Sequence, residues 1–372
     1  MGAPGWRRPT SGEPVYLDHA ATAPVRPEVI AAMAEAMAHP GNQSSLHRAG
    51  RRARELLERA RRRLADRLGV AADRVIFTSG GTEANHLALG GQGGDCLVSA
   101  VEHTSVLEAV SPVARIPVDP QGRIDLAAMR DLLARHRPQV ASVMLANNET
   151  GVIQPVAETS RLARAHGSLF HCDAVQAFGK LPISLAELDV DMLSVSAHKI
   201  GGPPGVGALI LREGCEPRPL QRGGGQERRR RAGTENLPGI VGFAAALDLA
   251  TDWAGVAALR ALLEAQVRAA HADARIMGAE ADRLPGVTCI VTPSLAAATQ
   301  LMALDLAGVA VSSGAACSSG KVGASHVLAA MGLAPDLARC AIRVSLGWSS
   351  CHEHVARFMQ AWAEIAVRHR SR

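Results

Sequence analysis

The chain has 372 residues, of which 47% are hydrophobic and 20% charged, a balance that is typical of globular proteins and excludes disordered or fibrous ones. Aromatic residues make up only 3%, which argues against a base-stacking surface for single-stranded nucleic acid. The formal net charge of +5 is explained mostly by arginines on a solvated helix face at 48–67, where leucines recur at helical spacing.

The seven cysteines form no CxxC pair and mostly lie in apolar runs, so buried free thiols are predicted for most of them. Cys317 differs, because its neighbours in SSGAACSSG are too small and flexible to bury it. The first residues lack the apolar core of a secretory signal, and no stretch approaches the roughly 18 apolar residues of a membrane span. We therefore expect a cytoplasmic protein that does not enter a membrane.

Between residues 70 and 212, short β-rich runs alternate with helical patterns. This alternation predicts an α/β fold with a largely parallel sheet covered by helices on both faces. Asp125 and Pro155 mark two of the helix starts. The predicted strands and helices, in chain order, are RVIFTS, EANHLALG, DCLVSA, HTSVLEAV, ARIPVD, DLAAMRDLLARH, VASVMLA, PVAETSRLARAHG, SLFHCD, DMLSVS and GALILR.

The pattern changes after residue 236. It is mostly helical to about 275, then gives the strands VTCIV, VAVSS and IRVSL with helices between them, and ends in a helix over 352–370. We place a domain boundary near residue 253. The prediction is a large domain over 15–253 and a smaller α+β domain over 254–372, with residues 1–14 packed near the smaller one.

Two charged residues end successive predicted strands: Asp173 closes SLFHCD, and Lys199 follows DMLSVS. Ligands of parallel sheets bind at the carboxyl ends of the strands. There, an aspartate can pair with the protonated pyridine nitrogen of pyridoxal phosphate (PLP) while a lysine amine holds the cofactor covalently. Two unrelated loop charges explain the pair about as well until a phosphate site is found.

A phosphate site is offered where the run VIFT leads through Gly80, Gly81 and Thr82 into a helix. Free N–H groups and the dipole at such a junction bind phosphate, and the Thr82 hydroxyl can add a bond. Ser196 and His198, just before Lys199, can supply further donors. A Gly-Gly turn before a helix is common in α/β proteins, so this turn indicates a phosphate site only together with Asp173 and Lys199.

These segments, with NNETGVIQP at 147–155 and VSSGAACSSG at 311–320, resemble the group I cysteine desulfurases of the NifS/IscS type, which are PLP enzymes of fold type I in the class V aminotransferase superfamily. The match covers nearly the whole chain. Further matching segments, in the same order, are YLDHAAT, GNQSSLHRAG, VEHTSVLE, RRAGTENLPGIVG and AIRVSLG.

The resemblance implies conversion of L-cysteine to L-alanine, with the sulfur left as a persulfide on Cys317. That sulfur would pass to an acceptor or scaffold protein for assembly of iron–sulfur clusters or other sulfur-containing cofactors. The resemblance further implies that Lys199 holds the cofactor, that Asp173 pairs with the pyridine nitrogen, and that His103 stacks on the ring and assists proton transfer. No metal ligand is implied.

The remaining site residues are also implied by the resemblance. Asn148 and Gln176 would lie near the cofactor hydroxyl, and Arg343 with Asn42 would hold the substrate carboxylate. Thr234 would reach the phosphate across the interface of a homodimer. The residues expected at the phosphate within the chain are Gly81, Thr82, Ser196 and His198.

Simpler interpretations of single residues stay open: His103 as a helix cap, Asn148 as a turn former, Arg343 as a surface strand residue and Cys317 as a spare thiol. Val175 stands where many relatives have threonine, a change expected to affect local packing. The short end after the last helix looks closer to the NifS type than to the IscS type with its scaffold-docking tail.

Two other functions compete with the desulfurase. Another class V PLP enzyme, such as a selenocysteine lyase or small-amino-acid aminotransferase, would share every feature except the use of Cys317, and transamination needs no thiol. An arginine-rich scaffold or nucleic-acid-binding protein would rest on the isoelectric point of about 9.0 and the run 228–231. That interpretation predicts salt-dependent binding and leaves Lys199 and Asp173 unexplained.

Overall fold

The computed structural model describes residues 14–313 and 325–370. The strands are β1 (Val15–Tyr16), β2 (Val75–Thr78), β3 (Cys96–Ser99), β4 (Ala114–Ile116), β5 (Val140–Ser142), β6 (Leu169–Asp173), β7 (Met192–Ser196), β8 (Gly207–Leu211), β9 (Arg275–Ile276), β10 (Val287–Val291), β11 (Val309–Ala310), β12 (Ser312–Ser313) and β13 (Ala341–Ser345). The α-helices are α1 (Pro27–Ala38), α2 (Arg48–Leu68), α3 (Gly81–Gly90), α4 (Thr104–Leu107), α5 (Leu126–His136), α6 (Val156–Ala165), α7 (Leu185–Leu188), α8 (Leu237–Leu247), α9 (Trp253–Ala270), α10 (Ala297–Leu306), α11 (His326–Ala330), α12 (Pro335–Ala338) and α13 (His352–Arg370).

The larger sheet has the strand order β2-β8-β7-β6-β5-β3-β4, and its strands from β7 to β4 are all parallel. Every residue of β3, β5, β7 and β8 is buried, as expected for a sheet covered on both faces. The predicted α/β fold is confirmed. One detail differs, because β8 runs antiparallel to both neighbours, β2 and β7. Residues 197–206 connect β7 to β8 directly, without the crossover helix that a parallel strand needs.

The smaller sheet has the order β12-β13-β10-β9 and is antiparallel throughout. Its apolar core includes residues of α9 and α13 together with Val15 and Leu17 from the start of the described chain. Near the same core, β1 pairs with β11 in parallel, Val15 opposite Val309. Helix α9 begins at Trp253, and a boundary between two domains at that residue stays a prediction.

The helices follow the sequence pattern closely. In α2, Leu56, Leu57, Leu64 and Leu68 are buried, and most arginines of the helix point outward. Asp125 caps α5, since its carboxylate accepts hydrogen bonds from the N–H groups of Ala127 and Ala128, each at 3.0 Å. Across 14–313 and 325–370, no helix combines the length and the apolar character that crossing a bilayer demands.

Candidate active site

A cavity of about 310 Å³ lies at the carboxyl ends of β6 and β7. Asp173 is the last residue of β6, and Lys199 follows β7 after a short turn, so the parallel pairing of these strands brings the two side chains to the same edge of the sheet. The residues around the cavity are Ala20, Ala21, Gly81, Thr82, Asn85, His103, Ser105, Met144, Asn148, Asp173, Val175, Gln176, His198, Lys199 and Arg343. The sequence predicted most of these polar residues.

The carboxylate of Asp173 is buried and held from two sides. Its Oδ2 accepts a hydrogen bond from Asn85 Nδ2 at 2.8 Å, and its Oδ1 accepts one from the backbone N–H of Val175 at 2.9 Å. Burial and the neighbouring charge of Asp173 raise the pKa of Glu102 well above its usual value. The raised pKa favours the protonated form of the Glu102 carboxyl. Asn85 and Glu102 were not predicted from the sequence.

The amine of Lys199 is held at the N-terminal segment. Its Nζ donates hydrogen bonds to the carbonyl oxygens of Ala20 and Ala21 at 2.7 and 2.8 Å. Gln176 Nε2 also donates to the Ala20 carbonyl, at 2.8 Å. The motif YLDHAAT is thus a wall of the cavity, and Lys199 stands at the cavity with its amine fixed by neutral acceptors.

His103 caps a helix and also lines the cavity, so the helix-cap interpretation does not exclude the predicted contact with the cofactor. Its Nδ1 accepts a hydrogen bond from the backbone N–H of Ser105 at 3.1 Å and so caps α4, while the ring lines the cavity. Burial lowers the pKa of His103, and the charge of Asp173 opposes this effect. The lowered pKa favours the neutral form of the ring.

The turn between β2 and α3 leads through Gly80 into the N-terminus of α3. Gly80 has φ of 154°, a backbone conformation that favours glycine, and α3 begins at the next residue, Gly81, which lines the cavity. The first N–H groups of a helix lack partners within the helix, so this position suits an anion. A Cβ on Gly81 would lie 2.7 Å from Val175 Cγ2, so the close packing of this turn requires glycine. Val175 therefore affects packing, as expected.

Ser196 lies beside this turn and was predicted to contact phosphate. Its Oγ is buried and has no hydrogen-bond partner among the described residues, an unusual state for a hydroxyl. Ser196 lines a second recess with Gly81, Thr82 and His198. Burial, with the charges of Lys199 and Lys180, lowers the pKa of His198 to about 4, so this ring is neutral.

Arg343 lies on β13, is only 4% exposed and lines the cavity, so it is not a surface strand residue. Its Nη2 donates to Asp18 Oδ1 at 2.7 Å, and its Nη1 donates to the Asn148 carbonyl at 3.0 Å. The turn-forming role considered for Asn148 belongs to Asn147, whose Oδ1 accepts from the N–H groups of Glu149 and Thr150. Asn148 itself lines the cavity.

Three predicted site residues are not brought to the cavity within the described chain. Asn42 is exposed, and its Oδ1 accepts a hydrogen bond from Ser44 N–H, so within this chain it does not meet Arg343. Thr234 is also exposed. The two segments touch each other, since Gln43 Nε2 donates to the Glu235 carbonyl at 3.1 Å. Cys317 lies outside the described residues.

The arginine run 228–231 is not a uniform solvated face. Arg230 pairs with Glu216, and Arg231 pairs with Glu83 in the first turn of α3, whereas Arg228 and Arg229 are exposed. Glu227, just before the run, forms a buried bidentate pair with Arg61. Half of the run therefore fastens its segment to the body of the protein.

The chain is similar to known proteins over most of its length. The model of the aminotransferase class-V family matches residues 15–358. A cysteine desulfurase of Cereibacter sphaeroides is 46% identical over 363 residues, covering 92% of this chain and 93% of its own. The X-ray structure of a NifS-like protein from Rickettsia africae has a TM-score of 0.89 at 34% identity, over 95% of this chain and 100% of the other. The structure of SspA in complex with cysteine has a TM-score of 0.80 at 28% identity, over 90% and 99%.

The fold and the cavity thus define a PLP-dependent enzyme, and PLP is the cofactor of this class. The chain belongs to the aminotransferase class-V family and, within it, to the NifS/IscS-type cysteine desulfurases.

Proposed function

We propose that the protein takes sulfur from L-cysteine, releases L-alanine and carries the sulfur as a persulfide on Cys317. The observation that carries this proposal is the cavity that holds Asp173 and Lys199 beside the glycine turn at the start of α3. The buried Ser196 hydroxyl, which lacks a partner among the described residues, fits a phosphate there. The residues present therefore suit PLP.

Each residue then has a task toward the cofactor. Lys199 would hold it covalently, and the Asp173 carboxylate would keep its pyridine nitrogen protonated. The neutral ring of His103 would lie against its face, and Asn148 and Gln176 would contact its hydroxyl. The residues proposed to hold its phosphate are Gly81, Thr82, Ser196 and His198, with Thr234 from the partner subunit.

When bound, PLP would supply an electron sink for the substrate α-carbon, which would make the bond between the β-carbon and sulfur breakable. Lys199, once its amine is released, accepts the proton of that carbon. The Cys317 thiolate attacks the substrate sulfur, so a sulfur–sulfur bond forms as the carbon–sulfur bond breaks. The carbon skeleton takes up protons and leaves as alanine, and Arg343 holds its carboxylate throughout.

We also propose a homodimer in which Asn42 and Thr234 serve the partner's cavity. Both are exposed, and the Gln43–Glu235 hydrogen bond keeps their segments together, so a single interface can present both. A cytoplasmic location is part of the proposal, because the described cysteines are free thiols and five of the six are buried, as in proteins of reducing compartments. The sulfur acceptor is proposed to be a separate protein.

The test is alanine and persulfide production by the PLP-loaded protein on addition of cysteine. Cys317→Ala is expected to abolish both while keeping the cofactor spectrum, and Lys199→Ala to lose the covalent cofactor. Cys351→Ser, which removes the partly exposed thiol among the described cysteines, is the matched control and should keep full activity. Full alanine production from selenocysteine by Cys317→Ala would favour the lyase. Full alanine production by this variant in the presence of an amino acceptor would favour the aminotransferase.

A further inference from the structure

Lys180 lies between the active-site cavity and a second cavity of about 480 Å³. Its Nζ donates a hydrogen bond to Gln176 Oε1 at 3.2 Å, and Gln176 lines the active-site cavity. On its other side, Lys180 belongs to the wall of the second cavity together with Gly179 and Trp253. Lys180 therefore contacts Gln176, a residue of the active-site cavity, from the side of the second cavity.

The contact continues to Lys199 through one shared acceptor. The Gln176 amide accepts from Lys180 and donates through Nε2 to the Ala20 carbonyl, which also accepts from Lys199 Nζ. A lysine ammonium can only donate, so its bond fixes the Gln176 oxygen toward Lys180 and the Gln176 amino group toward Ala20. Without that donor, the amide loses the contact that sets its orientation.

The charge around Lys180 is one-sided. None of the ion pairs formed by residues in 14–313 and 325–370 includes Lys180. Burial, together with the charges of Lys199 and Arg343, lowers the pKa of Lys180 to about 7. Lys180 in turn lowers the pKa of His19 and of His198, both already reduced by burial.

We propose that Lys180 is a positioning residue of the active site, which fixes the Gln176 amide and, in its protonated form, opposes by charge repulsion a second positive charge at Lys199. An uncharged lysine amine is the form that captures an aldehyde, so this repulsion favours loading of the cofactor. The inference deepens the proposed function and rests on it only in that PLP occupies the cavity. A structural filler of the turn would leave the acid–base behaviour of the site unchanged.

The experiment compares Lys180→Met, Lys180→Arg and Trp253→Phe in the full-length PLP-loaded protein. Trp253 is the matched control, because its Nε1 donates to the Gly179 carbonyl beside Lys180, and phenylalanine removes this bond without changing charge. The readouts are the equilibrium affinity of the apoprotein for PLP and the pH midpoint of the visible absorption change of the bound cofactor. The values of kcat and KM for cysteine are measured in parallel.

For Lys180→Met we expect about a tenfold loss of PLP affinity and an upward shift of the midpoint on the order of one pH unit, as the loss of a unit charge in a partly buried site produces. Lys180→Arg and Trp253→Phe should both have the same midpoint as the wild type. An unshifted Lys180→Met, or an equal shift in Trp253→Phe, would overturn the proposal.

If Lys180→Met does not fold, Lys180→Gln decides the matter, because it keeps a donor for Gln176 and lacks the charge. We expect it to shift the midpoint by the amount expected of Lys180→Met and to lose less PLP affinity than expected of Lys180→Met, because it lacks the charge but keeps the donor. An unshifted midpoint overturns the proposal. A wild type that binds PLP and forms no alanine would refute the proposed function alone.

Discussion

Asn85 donates a 2.8 Å hydrogen bond to Oδ2 of Asp173, and both side chains are buried at the base of the cavity. The same Asn85 amino group also donates to Ser105 Oγ, next to the His103 cap. Helix α3, which begins at the turn through Gly80, thus also holds the Asp173 carboxylate. The proposed phosphate site and the carboxylate are therefore linked through one helix.

Asn85→Ala is expected to weaken both folding and cofactor binding. Hydrogen bonds to charged groups contribute about 1.5–3 kcal/mol, so the free energy of unfolding should fall by about 2 kcal/mol and PLP affinity by about tenfold. Urea unfolding and apoprotein titration with PLP measure the two effects. Gln92→Ala is the control. Among the described residues, the Gln92 amide group donates hydrogen bonds only to the sulfur atoms of Met192 and Cys215, which are weak acceptors. Equal losses in both variants would contradict the role of Asn85.

His103→Asn separates the two roles of His103. Asparagine is among the strongest helix caps, so this variant should unfold within about 0.5 kcal/mol of the wild type, whereas His103→Ala should lose about 1 kcal/mol. Both variants lack the ring, and we expect kcat/KM for cysteine to fall about 100-fold or more in each. An active His103→Asn enzyme would show that the residue only caps α4.

The buried pair of Arg61 and Glu227 predicts a large stability effect. Their side chains are only 6% and 1% exposed, and Glu227 also accepts from the Phe77 N–H at 2.9 Å. Removing one partner strands a buried charge, so Glu227→Ala should cost about 3–5 kcal/mol in the free energy of unfolding.

The exposed pair of Arg52 and Glu55, at 43% and 58%, provides the control for that measurement. Arg52→Ala should change the free energy of unfolding by less than about 1 kcal/mol, because water already screens this pair. The backbone of Glu227, Arg228 and Arg229 has positive φ, a strained conformation for these residues. The buried pair is one of the contacts that keep this segment in place. A Glu227→Ala protein as stable as Arg52→Ala would refute this interpretation.

Glu149 predicts a pH dependence of stability. Burial raises its pKa from 4.5 to about 7, while its Oε2 accepts a hydrogen bond from Ser325 Oγ at 2.5 Å. Because the folded-state pKa lies above the unfolded one, this group's contribution to stability is fully present below about pH 4.5 and is lost as the pH rises through about 7.

Glu149→Gln removes that titration at nearly constant volume. Between pH 5 and pH 8, the free energy of unfolding of the wild type should fall by more than that of the variant, the difference approaching roughly 3 kcal/mol. Denaturant unfolding at both pH values measures it, and titrations elsewhere cancel in the comparison. Parallel pH profiles for the two proteins would contradict the prediction.

Much of the site was predictable because its residues follow strands or open helices. Asp173, Lys199 and Gly81 stand at positions that local pattern and the parallel arrangement define, and the structure places all three around one cavity. Asn85, Glu102 and Lys180 were missed. Nothing in their local sequence distinguishes a buried, partnered side chain from an exposed one on the same helix or turn.

The direction of β8 shows the same limit. A fully buried strand is apolar on both faces in either direction, so the run GALILR predicts a strand and not its orientation. Likewise, Asn42 and Thr234 match the family motifs, yet they lie on an exposed face instead of at the cavity of their own chain.

The sequence alone determined the order of strands and helices, the α/β class and the residue types that suit PLP, because side-chain periodicity and turn chemistry act over a few neighbouring residues. Only the tertiary structure decided which polar groups meet, which way β8 runs and which carboxyls have a raised pKa. Those outcomes depend on burial and on charges from segments distant in the chain, such as the Ala20 carbonyl beside Lys199 and the Asp173 carboxylate beside Glu102.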